Sequence, residues 1–200
     1  MTPAIQTVDG RYFDLVNPTP NMVDINHIAE ALSKFCRFNG HCRGVYSVAR
    51  HSMLMSSILP PRLQLAGLLH DAHEAYTHDL TSPYKAALAQ ISPEALAGVR
   101  ELERRATVAI HEKLDVEVST EDAAKIKRAD MRALATERRH IMHPQQGANG
   151  EWVCLDGIKP IMGSETKVRL GTHFTWEQDC RSFRMRSWRL TGNMAARRLP

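Results

Sequence analysis

No stretch of the 200-residue chain approaches the roughly 18 consecutive apolar residues that a membrane-spanning helix needs. Met1 to Gly10 has neither the basic n-region nor the apolar h-region of a secretory signal, so the expected location is the cytoplasm. The four cysteines, Cys36, Cys42, Cys154 and Cys180, are scattered and form no C-x-x-C pair. That spacing argues against a thiolate zinc site and leaves four reduced thiols, mostly buried, as the expectation. Internal repeats and low-complexity tracts are missing as well. So is the interleaving of aromatic and basic residues that makes a base-stacking platform for single-stranded nucleic acid.

What is present suits one globular domain with a real core: 43% hydrophobic and 24% charged residues over 200 positions. The formal net charge of +4 and a pI near 9.0 favour an anionic partner, either a small phosphate ester or a nucleic-acid backbone. The basic residues are spread over several segments, so composition does not choose between the two.

Along the chain, Ile5 to Val8, an Asp9-Gly10 turn and Arg11 to Leu15 read as a small hairpin. After Pro18-Thr19-Pro20 the period becomes helical. Ile25, Ile28, Ala29 and Leu32 follow Asp24 as a cap, and Ser47 opens a second helix to about Leu59. Arg62 to Thr77 reads as a third helix, with Pro83 interrupting the turn after it. Ser92-Pro93 starts a helix to about Leu114, and Ser119 to Asp122 another to about His140. Gly147 to Gly171 is glycine-rich and lacks a period, which predicts irregular chain or a second hairpin. Thr175 and Gln178 form a capping-box pair for a last helix ending near Leu190. The fold expected is all-α with minor β decoration: a leader over 1–20, a helical core over 21–143, and an irregular segment plus final helix over 144–200.

Ten histidines invite over-reading, so position must decide. His70-Asp71 stands late in the third helix, directly after an apolar stretch. Adjacent helical residues point about 100° apart, so both can face one ion only near a helix end. His51 and Asp130 lie in apolar neighbourhoods on two other expected helices and supply candidate third and fourth ligands. Imidazole and carboxylate together suit zinc, manganese, iron or cobalt. Zincins need H-E-x-x-H and their inverse H-x-x-E-H. His70 to Glu74 reads H-D-x-H-E, which is neither, and a metallopeptidase is set aside. His41, His73 and His78 are expected to be satisfied or exposed histidines.

The order His51, His70-Asp71, Asp130 resembles the H…HD…D signature of the HD-domain superfamily, helical metal-dependent phosphohydrolases. The run from His70 to Lys85, with Glu74, the T-x-D of Thr77-His78-Asp79 and the P-x-K of Pro83-Tyr84-Lys85, is similar to the bacterial 5′-deoxynucleotidase branch and to phage dATP triphosphohydrolases. Arg37-Phe38 lies where that branch has an arginine followed by an aromatic residue. The resemblance spans about Phe35 to Glu137 and implies an HD-domain helical bundle. It also implies a divalent ion (cobalt, manganese, zinc or magnesium) on His51, His70, Asp71 and Asp130. It gives Glu74 the proton-transfer role, and places Asp79 near the phosphate or a metal water. Arg37 and Lys85 become phosphate-contacting cations and Phe38 a stacking partner for the base. One turn after His70, Glu74 stands where its carboxylate can reach the site without being a ligand.

The function this implies is a dATP-preferring triphosphohydrolase that releases deoxynucleoside and triphosphate, working as a homo-oligomer. A 5′-deoxynucleotidase acting on monophosphates is the near alternative, and an HD hydrolase of another nucleotide, such as a signalling one, a further one. A nucleic-acid-binding module on a degenerate fold is the distant one.

Overall fold

The computed structural model describes residues 2–146, 152–171 and 173–197, and among these the protein is helical with one small hairpin. Strands β1 (Ala4–Gln6) and β2 (Tyr12–Asp14) pair antiparallel with Ile5 opposite Phe13. The turn is longer than the two residues expected. Thr7 N–H donates to Arg11 O at 2.7 Å and Gly10 N–H to Thr7 O at 2.9 Å, which makes Val8-Asp9-Gly10 a three-residue loop. Gly10 takes φ +84°, the left-handed position such a loop demands.

The first two helices start where their caps predict. In α1 (Ile25–Lys34) the Asp24 carboxylate accepts from Asn26 N–H, and in α2 (Val48–Ser57) the Ser47 hydroxyl accepts from Arg50 N–H. Every residue of α2 from Val48 to Ser56 is buried, because helices surround it. Those are α1, α3 (Gln64–Leu68), α7 (Thr120–His140) and α8 (Trp176–Arg197). A helix buried on all sides sits at the centre of its domain, and His51 is carried there at 0% exposure.

The expected third helix does not run unbroken from Arg62 to Thr77. A 3-10 turn, Pro61–Leu63, leads into α3, which stops at Leu68, and α4 resumes only over Glu74–Thr77. Between them the bonds tighten to i→i+3: Ala72 N–H donates to Leu69 O and Glu74 N–H to Asp71 O, both at 3.0 Å. The break falls on His70-Asp71. Gly67 in α3 lies against α2, where an added Cβ would run into Leu59 Cδ1 and approach Met55 Sδ at 3.3 Å.

Pro83 starts a helix rather than interrupting a turn. It occupies the first turn of α5 (Ser82–Ile91), which pairs with α6 (Pro93–Leu114). Helix α7 begins under the Ser119 cap and ends on Arg138, Arg139 and His140, with acids in its first turn and bases in its last as the helix dipole favours. The tail carries one 3-10 turn, Val153–Leu155, and no second hairpin among the described residues; 147–151 lie outside them. The Thr175–Gln178 box opens α8, which runs to Arg197, beyond the expected end near Leu190. All four cysteines are free, but only Cys42 and Cys180 are buried, and Cys154 is exposed. No described helix is long and apolar enough to cross a membrane.

A buried polar knot fixes the tail to the central helix. Arg50 on α2 pairs with Asp179 on α8, donates to Arg169 O at 3.1 Å, and carries the Phe174 ring 3.4 Å from its guanidinium carbon. Ser47 donates to the other Asp179 oxygen at 2.5 Å. Asp179→Ala leaves Arg50 buried without its counter-charge, and the expected loss is about 3–5 kcal/mol in urea denaturation. A loss below about 1 kcal/mol, the scale of an exposed pair, would show that the knot is hydrated.

Candidate metal centre

Three parts of the fold deliver the four candidate ligands to one point: His51 from α2, His70 and Asp71 from the break after α3, and Asp130 from α7. His51, His70 and Asp130 each offer a ligand atom, and these atoms all lie within 4.8 Å of one another. The two Nε2 atoms face each other at 3.2 Å, and His51 Nε2 stands 3.3 Å from Asp130 Oδ1. Asp71 Oδ2 joins them, 2.9 Å from His70 Nε2 and 3.6 Å from His51 Nε2. Donors bound at about 2.1 Å lie roughly 3.0 Å apart on an octahedral edge and roughly 3.4 Å on a tetrahedral one. The separations of 2.9–3.6 Å bracket both values.

Each imidazole is also aimed. His51 Nδ1 lies 2.6 Å from Glu137 Oε1, and His70 Nδ1 lies 2.9 Å from Gly67 O. A carboxylate and a carbonyl accept only, so each Nδ1 carries a proton and each ring turns its Nε2 towards the other ligands. Metal-binding histidines are oriented in this way. A divalent cation therefore fits the residues present.

Glu137 is the member that sequence reasoning missed. It is fully buried, and its other oxygen lies 3.3 Å from Arg37 Nη2. Its one signal in the sequence is a place seven residues after Asp130, two turns along the same face of α7.

The electrostatics are those of carboxylates and imidazoles crowded together. Burial and the Arg37 charge push His51 down, but Glu137 and Asp130 outweigh them and raise it to about 9. Burial opposes ionisation of Asp71 and Asp130 as well, yet the facing histidines hold both well below the usual carboxylate range. Arg37, 3.7 Å from Asp71, stays charged because Glu137 and Asp71 overcome its burial.

The remaining candidates separate. Glu74 is buried, with Oε2 lacking any hydrogen-bond partner among the described residues; burial, then the Asp71 and Asp79 charges, raise its pKa well above normal. Asp79 is raised by burial too, against the pull of Arg37. Lys85 is held by Glu103 at 2.8 Å and forms no ion pair with the ligand cluster among the described residues. Phe38, at φ +58°, meets the Trp152 ring edge-on at 6.2 Å, with Arg37 over its face. Of the three histidines set aside, His41 and His78 are exposed. His73 is not satisfied: its Nδ1 is buried and unpartnered among the described residues. His70, Asp71 and Asp130 line a cavity of about 310 Å³ together with Thr107, His111 and Lys127, so the cluster opens onto space for a small molecule.

No family model matches the chain. It is 36% identical over 156 residues to the uncharacterized protein YfdR of Escherichia coli strain K12, a match covering 77% of this chain and 79% of that protein. It is also 38% identical over 113 residues to the uncharacterized protein RCAP_rcc00048 of Rhodobacter capsulatus, covering 52% of this chain and 54% of that one.

Proposed function

The chain belongs to the family of the Escherichia coli protein YfdR, and from that premise and the geometry of its own ligand cluster we propose that it is a metal-dependent phosphohydrolase of deoxynucleotides. The observation that carries the proposal is the pair of anchored imidazoles. His51 and His70 each commit Nδ1 to an oxygen acceptor and turn Nε2 to a point that Asp71 and Asp130 also reach. The resemblance to HD-domain phosphohydrolases supplies the reaction class, with dATP as the favoured substrate and a homo-oligomer as the working form.

A divalent ion at this point supplies Lewis acidity towards the phosphoryl oxygens and lowers the pKa of water. The chain's own residues do the rest. Arg37 holds a fixed positive charge beside the cluster, where it balances Asp71 in the resting protein and meets phosphate oxygens in the complex. Glu74 gives its proton to the 5′-oxygen as the bond from that oxygen to the α-phosphorus breaks and a water oxygen bonds to phosphorus, and the proton that this water releases restores the Glu74 carboxyl. The products are deoxynucleoside and inorganic triphosphate. Lys85 leaves Glu103 to meet the outer phosphates, and Asp79 restrains Arg37.

The test is product analysis with each dNTP and dNMP in the presence of Mn²⁺, Co²⁺, Zn²⁺ or Mg²⁺. Deoxyadenosine and triphosphate in equal amounts from dATP are expected. Lys85→Ala should cost dATP hydrolysis about 1.5–3 kcal/mol in kcat/KM, the scale of one charged hydrogen bond. Rapid turnover of dAMP with dATP untouched would hand the site to the 5′-deoxynucleotidase reading. No hydrolysis with any of these metals would refute the substrate class.

A further inference from the structure

The C-terminal end of α7 and the segment around Trp152–Pro160 line a second, open cavity of about 600 Å³. That lies within the roughly 300–1,000 Å³ of small-molecule sites. Its floor is apolar, with Leu155 and Ile158, while Arg43, Arg138 and Arg139 stand around it and Trp152 forms a wall. No carboxylate lines it among the described residues.

The three guanidinium groups are undercommitted. Arg43 donates to His140 O at 2.7 Å, Arg138 to the neutral Gln145 side chain at 3.3 Å, and none of the three meets a carboxylate among the described residues. A helix C-terminus favours basic residues in its last turn, which accounts for charge near His140. It does not account for an apolar cavity and an indole at the same place, nor for Arg43, which comes from a different part of the chain. Arg138 already lies 5.6 Å from the Trp152 ring centroid, so cation and aromatic face share one wall.

An apolar floor, an aromatic wall and three unneutralised arginines select a ligand with a flat ring at one end and several negative charges at the other. We propose that this cavity is a second ligand site, separate from the metal centre, which binds a nucleoside triphosphate with its base against Trp152 and its phosphates on Arg43, Arg138 and Arg139. Arginine suits this task because its fork matches phosphate oxygens bidentately. A cavity of about 600 Å³ holds one mononucleotide, whereas a polymer needs a groove that tracks its backbone. A series of contacts joins it to the metal centre: Trp152 meets Phe38, Arg37 lies over Phe38, and Arg37 stands 3.7 Å from Asp71.

The experiment is a titration of the full chain, stripped of metal by chelator, with dATP, inorganic tripolyphosphate and deoxyadenosine. It is followed by calorimetry and by fluorescence of the three tryptophans. Saturable dATP binding with a fluorescence change that Trp152→Phe abolishes is expected. Tripolyphosphate should bind about tenfold more weakly for want of the stacked base. Arg139→Glu should weaken dATP about tenfold or more, the scale of one charged hydrogen bond. Arg189→Glu, on the exposed side of α8, should leave binding unchanged.

Three results would overturn the site: no saturable binding at millimolar dATP, undiminished binding by Arg139→Glu, or loss on Arg37→Ala in place of Arg139→Glu. A single-stranded oligonucleotide that binds where dATP fails to compete would overturn it too. The metal-free format keeps this apart from the catalytic proposal. Hydrolysis without this binding sinks only the second site, and binding without hydrolysis sinks only the catalytic one.

Discussion

Asp130→Ala protein should fold, bind divalent metal more than about 100-fold more weakly than the parent, and lose all measurable hydrolysis. Glu137→Gln should lose about 10–100-fold in metal affinity, the range for removing an outer partner of a ligand. The order follows from the positions of the two carboxylates. Asp130 Oδ1 is one of the converging donors, 3.3 Å from His51 Nε2, whereas Glu137 reaches only the far nitrogen of that ring. The amide introduced by Glu137→Gln still offers a carbonyl to Nδ1, so the ring keeps its direction but loses the charge that makes it a strong donor. Competition against a chromophoric chelator measures both affinities, and circular dichroism checks folding. Should Glu137→Gln weaken metal binding more than Asp130→Ala, the assignment of ligand and support is reversed.

The parts of the molecule that local chemistry decides were readable from the sequence. Asp24, Ser47, Ser119 and the Thr175–Gln178 pair each open a helix because their side chains answer unpaired N–H groups a few residues away. The periodic stripes behind those caps carry His51 into the core and Asp130 to a half-buried position. Features decided by contacts distant in sequence were not readable. Leu65, Leu68, Leu69 and Ala72 continue a helical stripe without interruption, and nothing local says that the hydrogen bonds tighten after Leu68. That break is nonetheless what brings His70 and the residue beside it to one point, which a continuous helix would have kept apart.

Helix α5 is hidden for a different reason: Pro83 reads locally as a breaker, whereas in a first turn proline is a start signal. Glu137 carries no local signal beyond its spacing from Asp130. Its role exists only because α2 crosses α7 at His51, 86 positions earlier in the chain.

Glu74→Gln should abolish turnover while leaving one metal ion per chain, with the rate falling about 10²–10⁴-fold, the usual contribution of a positioned acid or base. The carboxyl is buried, one oxygen has no partner among the described residues, and burial with two neighbouring carboxylates keeps it protonated well above the ordinary glutamate range. A carboxyl that keeps its proton above the ordinary glutamate range offers what the leaving oxygen requires. Glutamine keeps the shape and a hydrogen-bond donor but has no proton to give, so binding survives and chemistry does not. The raised pKa also fixes a sign for stability. In the metal-free protein Glu74 stabilises the fold below its unfolded pKa, and that contribution is lost as pH rises through the folded value. The Glu74→Gln protein lacks this loss and should outlast the parent in metal-free denaturation at alkaline pH. Metal content by mass spectrometry, single-turnover rates and urea midpoints at two pH values make the three readings. Loss of the ion together with the activity would make Glu74 a ligand or its support, and the proton-transfer role would fall.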